Sequence, residues 1–443
     1  MWKTKLAKSR TVRSAAQPIA ASVGSAPTSN ITASENSRAS AAAVAELVKG
    51  LDFVFDQLDF ENEPGDLLRL HLERLALEAA KYGNSRVQPG QAEPWSCTPE
   101  MGQLLYAACQ CSSYIYDPVL QQQSDAELVP IMSRTPSMTG TEKAACIWRM
   151  GELHTLIVSI RGTASAADHM VNLNGQPTDA SEVLGSDTGI SVKAHKGFLS
   201  CARTLLPVVL RDLTRLVQSD GSIRRVVFTG HSAGGAVSSL LFLHLLCHQI
   251  PELSGVSLGL STFGSPPVTS VDVTTLACKQ PQCEFALSFV NEYDIVSRAD
   301  PSYISSIIDL YRSRYGLPCM ATDQPRRVEA PPRPEKAMLV DQLWTLPPPT
   351  FHLVGEVIIL RATTAPSGVG PDDASSDEPT ISTTYEAMQV TPQALSQTLF
   401  CEVGVHKRRL YLERMRAVTS AGKASSVFSR AETLVSRSGE SIG

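Results

Sequence analysis

The chain has 443 residues, with 39 Lys+Arg against 44 Asp+Glu and a net charge of −5. That balance excludes an overall basic nucleic-acid binder, and 28 Gly with 28 Pro excludes a collagen-like or low-complexity chain. With 43% apolar and 19% charged residues, the chain can bury a sizeable core, and its length allows two or three domains or one large α/β domain with tails.

Residues 1–40 are rich in Ser, Ala and Thr and read as a disordered tail. Lys3, Lys5, Lys8, Arg10 and Arg13 precede the first acid, Glu35, and no apolar run of a secretory signal accompanies them. Such a basic start fits a solvated tail or an organelle transit peptide. Residues 41–92 read as a helical arm. Leu68, Leu72, Leu75 and Ala79 recur at helical spacing, with Asp66 placed to cap and Gly83 placed to stop the helix. The Pro/Gly-containing stretch 88–94 marks a boundary, and the main domain is expected over 93–416.

Within that domain, Thr98 ahead of Pro99 predicts a helix running to about Tyr114. Apolar runs at 144–150 and 154–160 predict two strands joined like a hairpin at Gly151-Glu152. A helix over 197–218, a strand over 225–229 and a helix over 233–248 follow. Further strands are expected at 256–263, 285–290 and 355–361, with helices near 303–314 and 407–417. Apolar strands alternating with helices predict an α/β fold with a largely parallel sheet covered on both faces. Two stretches break the pattern, 321–336 (rich in Pro and charge) and 362–382 (four acids and no base). Both read as irregular, exposed inserts. Residues 417–443 read as a second disordered tail.

The ten cysteines are scattered, with no C-x-x-C pair to suggest a zinc site. They read as reduced thiols of a protein inside the cell, cytoplasmic or peripheral to a membrane, with a few disulfides in a secreted form as the alternative. The most apolar run, 236–247, is shorter than the roughly 18–20 residues that cross a bilayer and contains His244.

The most informative stretch is Gly230-His231-Ser232-Ala233-Gly234, a G-x-S-x-G motif with an apolar strand before it and a helix after it. A chain that turns from strand to helix within about one residue forces Ser232 into a strained backbone geometry. Side chains two positions before and after would collide across such a turn, so glycine is needed at 230 and 234. The turn lifts the serine hydroxyl clear of the sheet edge. It also aims the first N–H groups of the helix at the point where negative charge would develop.

Four further blocks accompany this elbow in order. They are Ile160-Arg161-Gly162-Thr163, Ala194-His195-Lys196-Gly197-Phe198, Thr262-Phe263-Gly264-Ser265-Pro266-Pro267-Val268 and Asn291-Glu292-Tyr293-Asp294-Ile295-Val296. Together the five blocks resemble the class 3 lipase family, the fungal-type branch of the α/β hydrolases, over about residues 95–413. The resemblance implies an α/β-hydrolase fold and a serine hydrolase acting on carboxylic esters of lipids, an acylglycerol foremost. It implies no metal or organic cofactor and a lipid ester as partner, with contact to a membrane or lipid-droplet surface, no nucleic acid and no transmembrane helix.

The resemblance also implies roles for particular residues. Ser232 is the nucleophile. Thr163 and Ala233 supply the oxyanion-hole N–H groups. Asp294 sits where the family's Asn-x-x-Asp-x-Val pattern puts the triad acid, with Asp300 as substitute. The order Ser…Asp…His leaves His352 and His406 for the base. His406, followed by Tyr411 as in the family's terminal His-x4-Tyr pattern, is the choice. His195 and His231 read as structural. The interval between Asp294 and His406 is 112 residues. It exceeds that of compact members, and the two inserts account for the excess, as in the diacylglycerol lipase-like branch. Residues 164–193 occupy the place of the family's lid, and their mixed composition fits a lid over an acyl pocket or a polar surface loop. A phospholipase or other esterase, and a noncatalytic binding module on the same fold, are the competing readings.

Overall fold

A computed structural model describes residues 42, 44, 45, 47, 66–117, 128–136, 143–162, 175–185, 191–317, 342–366 and 381–420. The elements run from helix α1 (Asp66–Ala79) through strand β1 (Ala92–Pro94) and α2 (Pro99–Tyr114) to β2 (Leu128–Arg134), β3 (Ala145–Met150) and β4 (Thr155–Ile160). A short strand β5 (Pro177–Asp179), helix α3 (Ser181–Leu184) and strand β6 (Lys193–His195) lead into α4 (Lys196–Ser219). Then come β7 (Arg225–His231), α5 (Ala233–Cys247), β8 (Ser257–Phe263), α6 (Thr274–Cys278), β9 (Cys283–Asn291) and α7 (Pro301–Ser313). The chain closes with β10 (Glu356–Pro366), β11 (Ile381–Val390), α8 (Pro392–Ser396) and α9 (Arg408–Ser420).

Among the described residues nine strands form one sheet, in the order β1-β11-β10-β9-β8-β7-β4-β3-β2. The five strands β10, β9, β8, β7 and β4 run parallel. They are near-continuous apolar runs because both their faces are covered. Antiparallel pairs close both ends of the sheet. On one face α4 and α5 bury Leu205, Val237 and Leu241 against Val226, Phe228 and Leu258. On the other, α2 and α9 bury Leu105, Ala108, Tyr411 and Met415 against Val227, Phe263 and Phe289. This is the largely parallel sheet, covered on both faces, expected from the alternation of strands and helices, in the α/β-hydrolase arrangement that the resemblance implies.

The caps follow sequence logic. Thr98 Oγ1 accepts from the Met101 N–H ahead of Pro99. Asp300, weighed above as a substitute acid, caps α7 by accepting from Ser302 N–H and Tyr303 N–H ahead of Pro301. Helix α1 packs on α7, where Leu72 and Leu75 join Val44 and Leu47 against Ile307 and Tyr311. The described cysteines are free thiols.

The edge strand β2 was not expected from the sequence, and three further differences concern the ends of segments. Residues 92–94, expected in a linker, pair as β1 with β11. The stretch 362–382, expected to be irregular throughout, has strand at both ends, because β10 and β11 pair from Val357↔Val390 out to Pro366↔Ile381. Thr363, Thr364, Thr383 and Thr384 are β-branched and suit that pairing. Helix α9 continues to Ser420, into the segment read as a tail. The insert at 321–336, the tail at 1–40 and residues 421–443 lie outside the described residues. Among the described residues no helix is long and apolar enough to cross a membrane.

Candidate active site

Strand β7 ends at His231 and helix α5 begins at Ala233, so the reversal falls on Ser232 alone. Its backbone sits at φ 57° and ψ −134°, a region that costs a non-glycine residue about 1–3 kcal/mol. The two glycines answer to different neighbours. A Cβ on Gly230 would stand 2.4 Å from the carbonyl carbon of Gly234, across the turn. One on Gly234 would stand 2.2 Å from the carbonyl oxygen of Ile160, in the adjacent strand β4. The Ser232 N–H is held by the Phe263 carbonyl at 3.0 Å, and the residue is 4% exposed. Ala233 is the first residue of α5 and is buried beneath the elbow. Thr163 lies outside the described residues. Its neighbour Gly162, the last described residue after β4, donates its N–H to the Tyr116 hydroxyl at 2.8 Å.

Strand β9 ends at Asn291, and the following turn carries Asp294, which is fully buried. Its Oδ2 accepts from His406 Nδ1 at 2.8 Å and from the Tyr411 hydroxyl at 2.6 Å. Its Oδ1 accepts from the Val296 N–H at 2.9 Å. Burial, and then the Asp294 charge, push the Tyr411 phenol well above its ordinary pKa. It therefore stays a donor, and its oxygen also accepts from the Asn291 N–H at 2.9 Å.

The 112-residue interval between Asp294 and His406 is closed by backbone pairing. Asp294 bridges to Glu402, with the Ile295 N–H on the Glu402 carbonyl and the Glu402 N–H on the Tyr293 carbonyl. Two residues later begins a 3-10 turn, Gly404–His406, which delivers the imidazole. Asn291 Nδ2 donates to the Val405 carbonyl at 2.7 Å and fixes that turn against the end of β9. Because Nδ1 faces Asp294, the other ring nitrogen is the one that can act as a base. His406 Nε2 is buried and has no hydrogen-bond partner among the described residues.

The structure therefore brings Asp294 and His406 together and packs the His406 ring beside the elbow, 4.4 Å from the His231 ring. His352 lies elsewhere. It bridges to Thr269, with its N–H on the Thr269 carbonyl at 2.7 Å, and burial lowers its pKa. His195 caps α4, accepting from the Phe198 N–H and stacking on the Phe198 ring.

Two residues at the site escaped the sequence reading. Gly264 stood in one of the five blocks without an assigned purpose, and Tyr411 served only as a spacing marker. A third contact ties the acid loop to the segment after α1. Glu292, 2% exposed, forms a bidentate ion pair with Arg361 at 2.7 Å and accepts from the Val87 N–H, while Arg361 donates to the Val87 carbonyl.

Of the lid region 164–193, residues 175–185 and 191–193 are described. There β5 pairs with β6, and Val183 and Leu184 of α3 are buried against the core. His244 Nδ1 of α5 lies 2.7 Å from the Val183 carbonyl. Met170, Val171 and Leu173 lie outside the described residues. Among the described residues no group of three or more His, Cys, Asp or Glu side chains could hold a metal ion.

Residues 157–303 match the family Lipase (class 3). The chain is 29% identical over 133 residues to "Phospholipase A1 PLIP2, chloroplastic" of Arabidopsis thaliana, which is 29% of this chain and 17% of that protein. It is 27% identical over 128 residues to "Phospholipase A1 PLIP1, chloroplastic" of the same plant, 28% of this chain and 18% of that protein. The chain thus spans less than a fifth of the length of these relatives. Among solved structures, the Rhizomucor miehei triacylglyceride lipase superposes with a TM-score of 0.39 at 22% identity, covering 48% of this chain and 78% of that one. The family match contains all five blocks and stops short of His406: residues 157–303 carry the class 3 lipase pattern, on an α/β-hydrolase sheet.

Proposed function

We propose that this protein is a serine hydrolase that cleaves carboxylic esters of lipids through an acyl-enzyme on Ser232. The observation that carries the reading is the pairing of a strained serine elbow with a buried Asp294–His406 couple whose Nε2 has no partner. In the proposed cycle His406 Nε2 takes the Ser232 proton as Oγ attacks the ester carbonyl. The Ala233 and Thr163 N–H groups stabilise the oxyanion. Asp294 holds the imidazole in the tautomer with Nδ1 protonated and stabilises the imidazolium. The proton then passes to the leaving alcohol, and water repeats the sequence to release the acid.

An acylglycerol is the substrate implied by the family. A phospholipid is the second reading, favoured by the names of the two plant relatives. Those relatives are named as chloroplastic, which supports reading the basic start of the chain as organelle targeting. The test is turnover of p-nitrophenyl butyrate, followed by release of fatty acid from triacylglycerol, diacylglycerol and phosphatidylcholine, each by wild type and Ser232→Ala. Loss of turnover in the variant supports the reading, and the preferred lipid decides between the two substrates. No turnover of any ester by wild type would favour a noncatalytic binding module.

A further inference from the structure

His231 stands between the last glycine of β7 and the nucleophile, and the proposed cycle gives it no role. Its side chain is 1% exposed. Its Nε2 lies 2.8 Å from the backbone carbonyl of His406. A carbonyl only accepts, so Nε2 carries the proton and donates. Its ring also packs 4.4 Å from the His406 ring and 5.5 Å from the Tyr411 ring.

The consequence lies in how the base is suspended. The turn Gly404–His406 arrives at the end of a long excursion and is held from two sides. Asn291, at the end of the acid's strand, holds the Val405 carbonyl. His231, at the end of the nucleophile's strand, holds the His406 carbonyl. The first tie registers the imidazole to Asp294 and the second registers it to the elbow. Only the second bears on the gap between Nε2 and the Ser232 hydroxyl.

We infer that His231 is a positioning residue: its Nε2–H fixes the backbone of His406 against the elbow, so that the imidazole is aligned to take the Ser232 proton. The inference rests on the proposed reading of Ser232 and His406. Losing this tie leaves the Asp294–His406 pair intact and misplaces the pair relative to the serine. The chemical step then slows while substrate binding is unaffected, because a misplacement of about 1 Å costs on the order of a hundredfold in rate.

The experiment compares the full chain carrying His231→Gln, His231→Asn or His231→Leu with wild type, using p-nitrophenyl butyrate kinetics, fluorophosphonate labelling and circular-dichroism melts. Glutamine places an amide N–H near the Nε2 position and asparagine falls short of it. His231→Gln should keep kcat within about threefold of wild type. His231→Asn and His231→Leu should lose about 30-fold or more in kcat with KM within about twofold. Should the leucine variant fail to fold, the Gln/Asn pair decides alone. Equal kcat for the glutamine and asparagine variants, or a loss that appears only in KM, overturns the positioning role. Wild type that neither turns over ester nor takes the fluorophosphonate overturns the underlying reading and the inference with it. Wild type that does both, beside variants identical to it, overturns the inference alone.

Discussion

Gly264 lies against the imidazole of His406. A Cβ built on it would stand 2.8 Å from Cε1 and 2.9 Å from Nδ1 of that ring, and 2.9 Å from the Tyr411 hydroxyl. Its φ of +59° is in the left-handed region. Glycine at this position therefore makes room for the His406 imidazole and for the phenol that braces Asp294. Gly264→Ala should displace the imidazole and lower kcat by about a hundredfold, with a drop in melting temperature from the strained backbone. Activity and melting curves of the purified variant check this, and an unchanged kcat would refute it.

Tyr411 spends its only proton on Asp294 Oδ2. Tyr411→Phe removes a hydrogen bond to a charged group and leaves the buried Asn291 N–H without its acceptor. A loss of about 1.5–3 kcal/mol in stability follows, with a fall in kcat of about tenfold as the carboxylate loosens. Denaturant unfolding beside ester kinetics separates the two effects.

The elbow stores strain. With φ at 57° and ψ at −134°, residue 232 holds a backbone conformation in which glycine is relaxed and serine is not. Ser232→Gly should therefore abolish turnover while raising stability by about 1–2 kcal/mol. Ser232→Ala keeps a Cβ, so it should abolish turnover with no such gain. Chemical denaturation of both variants is the measurement.

How far the sequence reaches is visible at these same residues. The elbow was legible because its geometry is local, with strand, turn and helix contiguous and each glycine reporting a collision within reach. Even so, the collision at Gly234 is with Ile160 of a neighbouring strand, which sequence reasoning could not name. Asp300 shows a signal that was available and misread. An aspartate directly before Pro301 is a helix cap, and that is the place it takes. The edge strands β1 and β2, and β11 beside β1, escaped because half-buried antiparallel strands carry mixed composition and, in β1 and β2, prolines. The purpose of Gly264 and of the Glu292–Arg361–Val87 contact was out of reach, since each joins segments far apart in the chain.

Acid should weaken the fold through two histidines. Burial first, and then His248, lower the pKa of His244 from 6.5, against the opposing Val183 carbonyl. Burial likewise lowers that of His352 from 6.5. A histidine with a lowered folded-state pKa binds its proton more readily when unfolded. The unfolded chain therefore gains protons first as pH falls below about 6.5, and stability declines there. Melting temperature should fall as the buffer is taken from about pH 7.5 to 5.5, and His244→Gln should flatten that slope. A wild-type slope of zero or opposite sign would contradict the assignment.

The most direct measurement is fluorophosphonate labelling followed by mass localisation of the adduct, because the reagent needs an activated serine and no particular lipid. One adduct is expected, on the peptide containing Ser232. It should be absent in Ser232→Ala, slowed by about three orders of magnitude in His406→Ala and unchanged in His352→Ala. An adduct on another serine, no adduct on the folded protein, or full labelling of His406→Ala would contradict it.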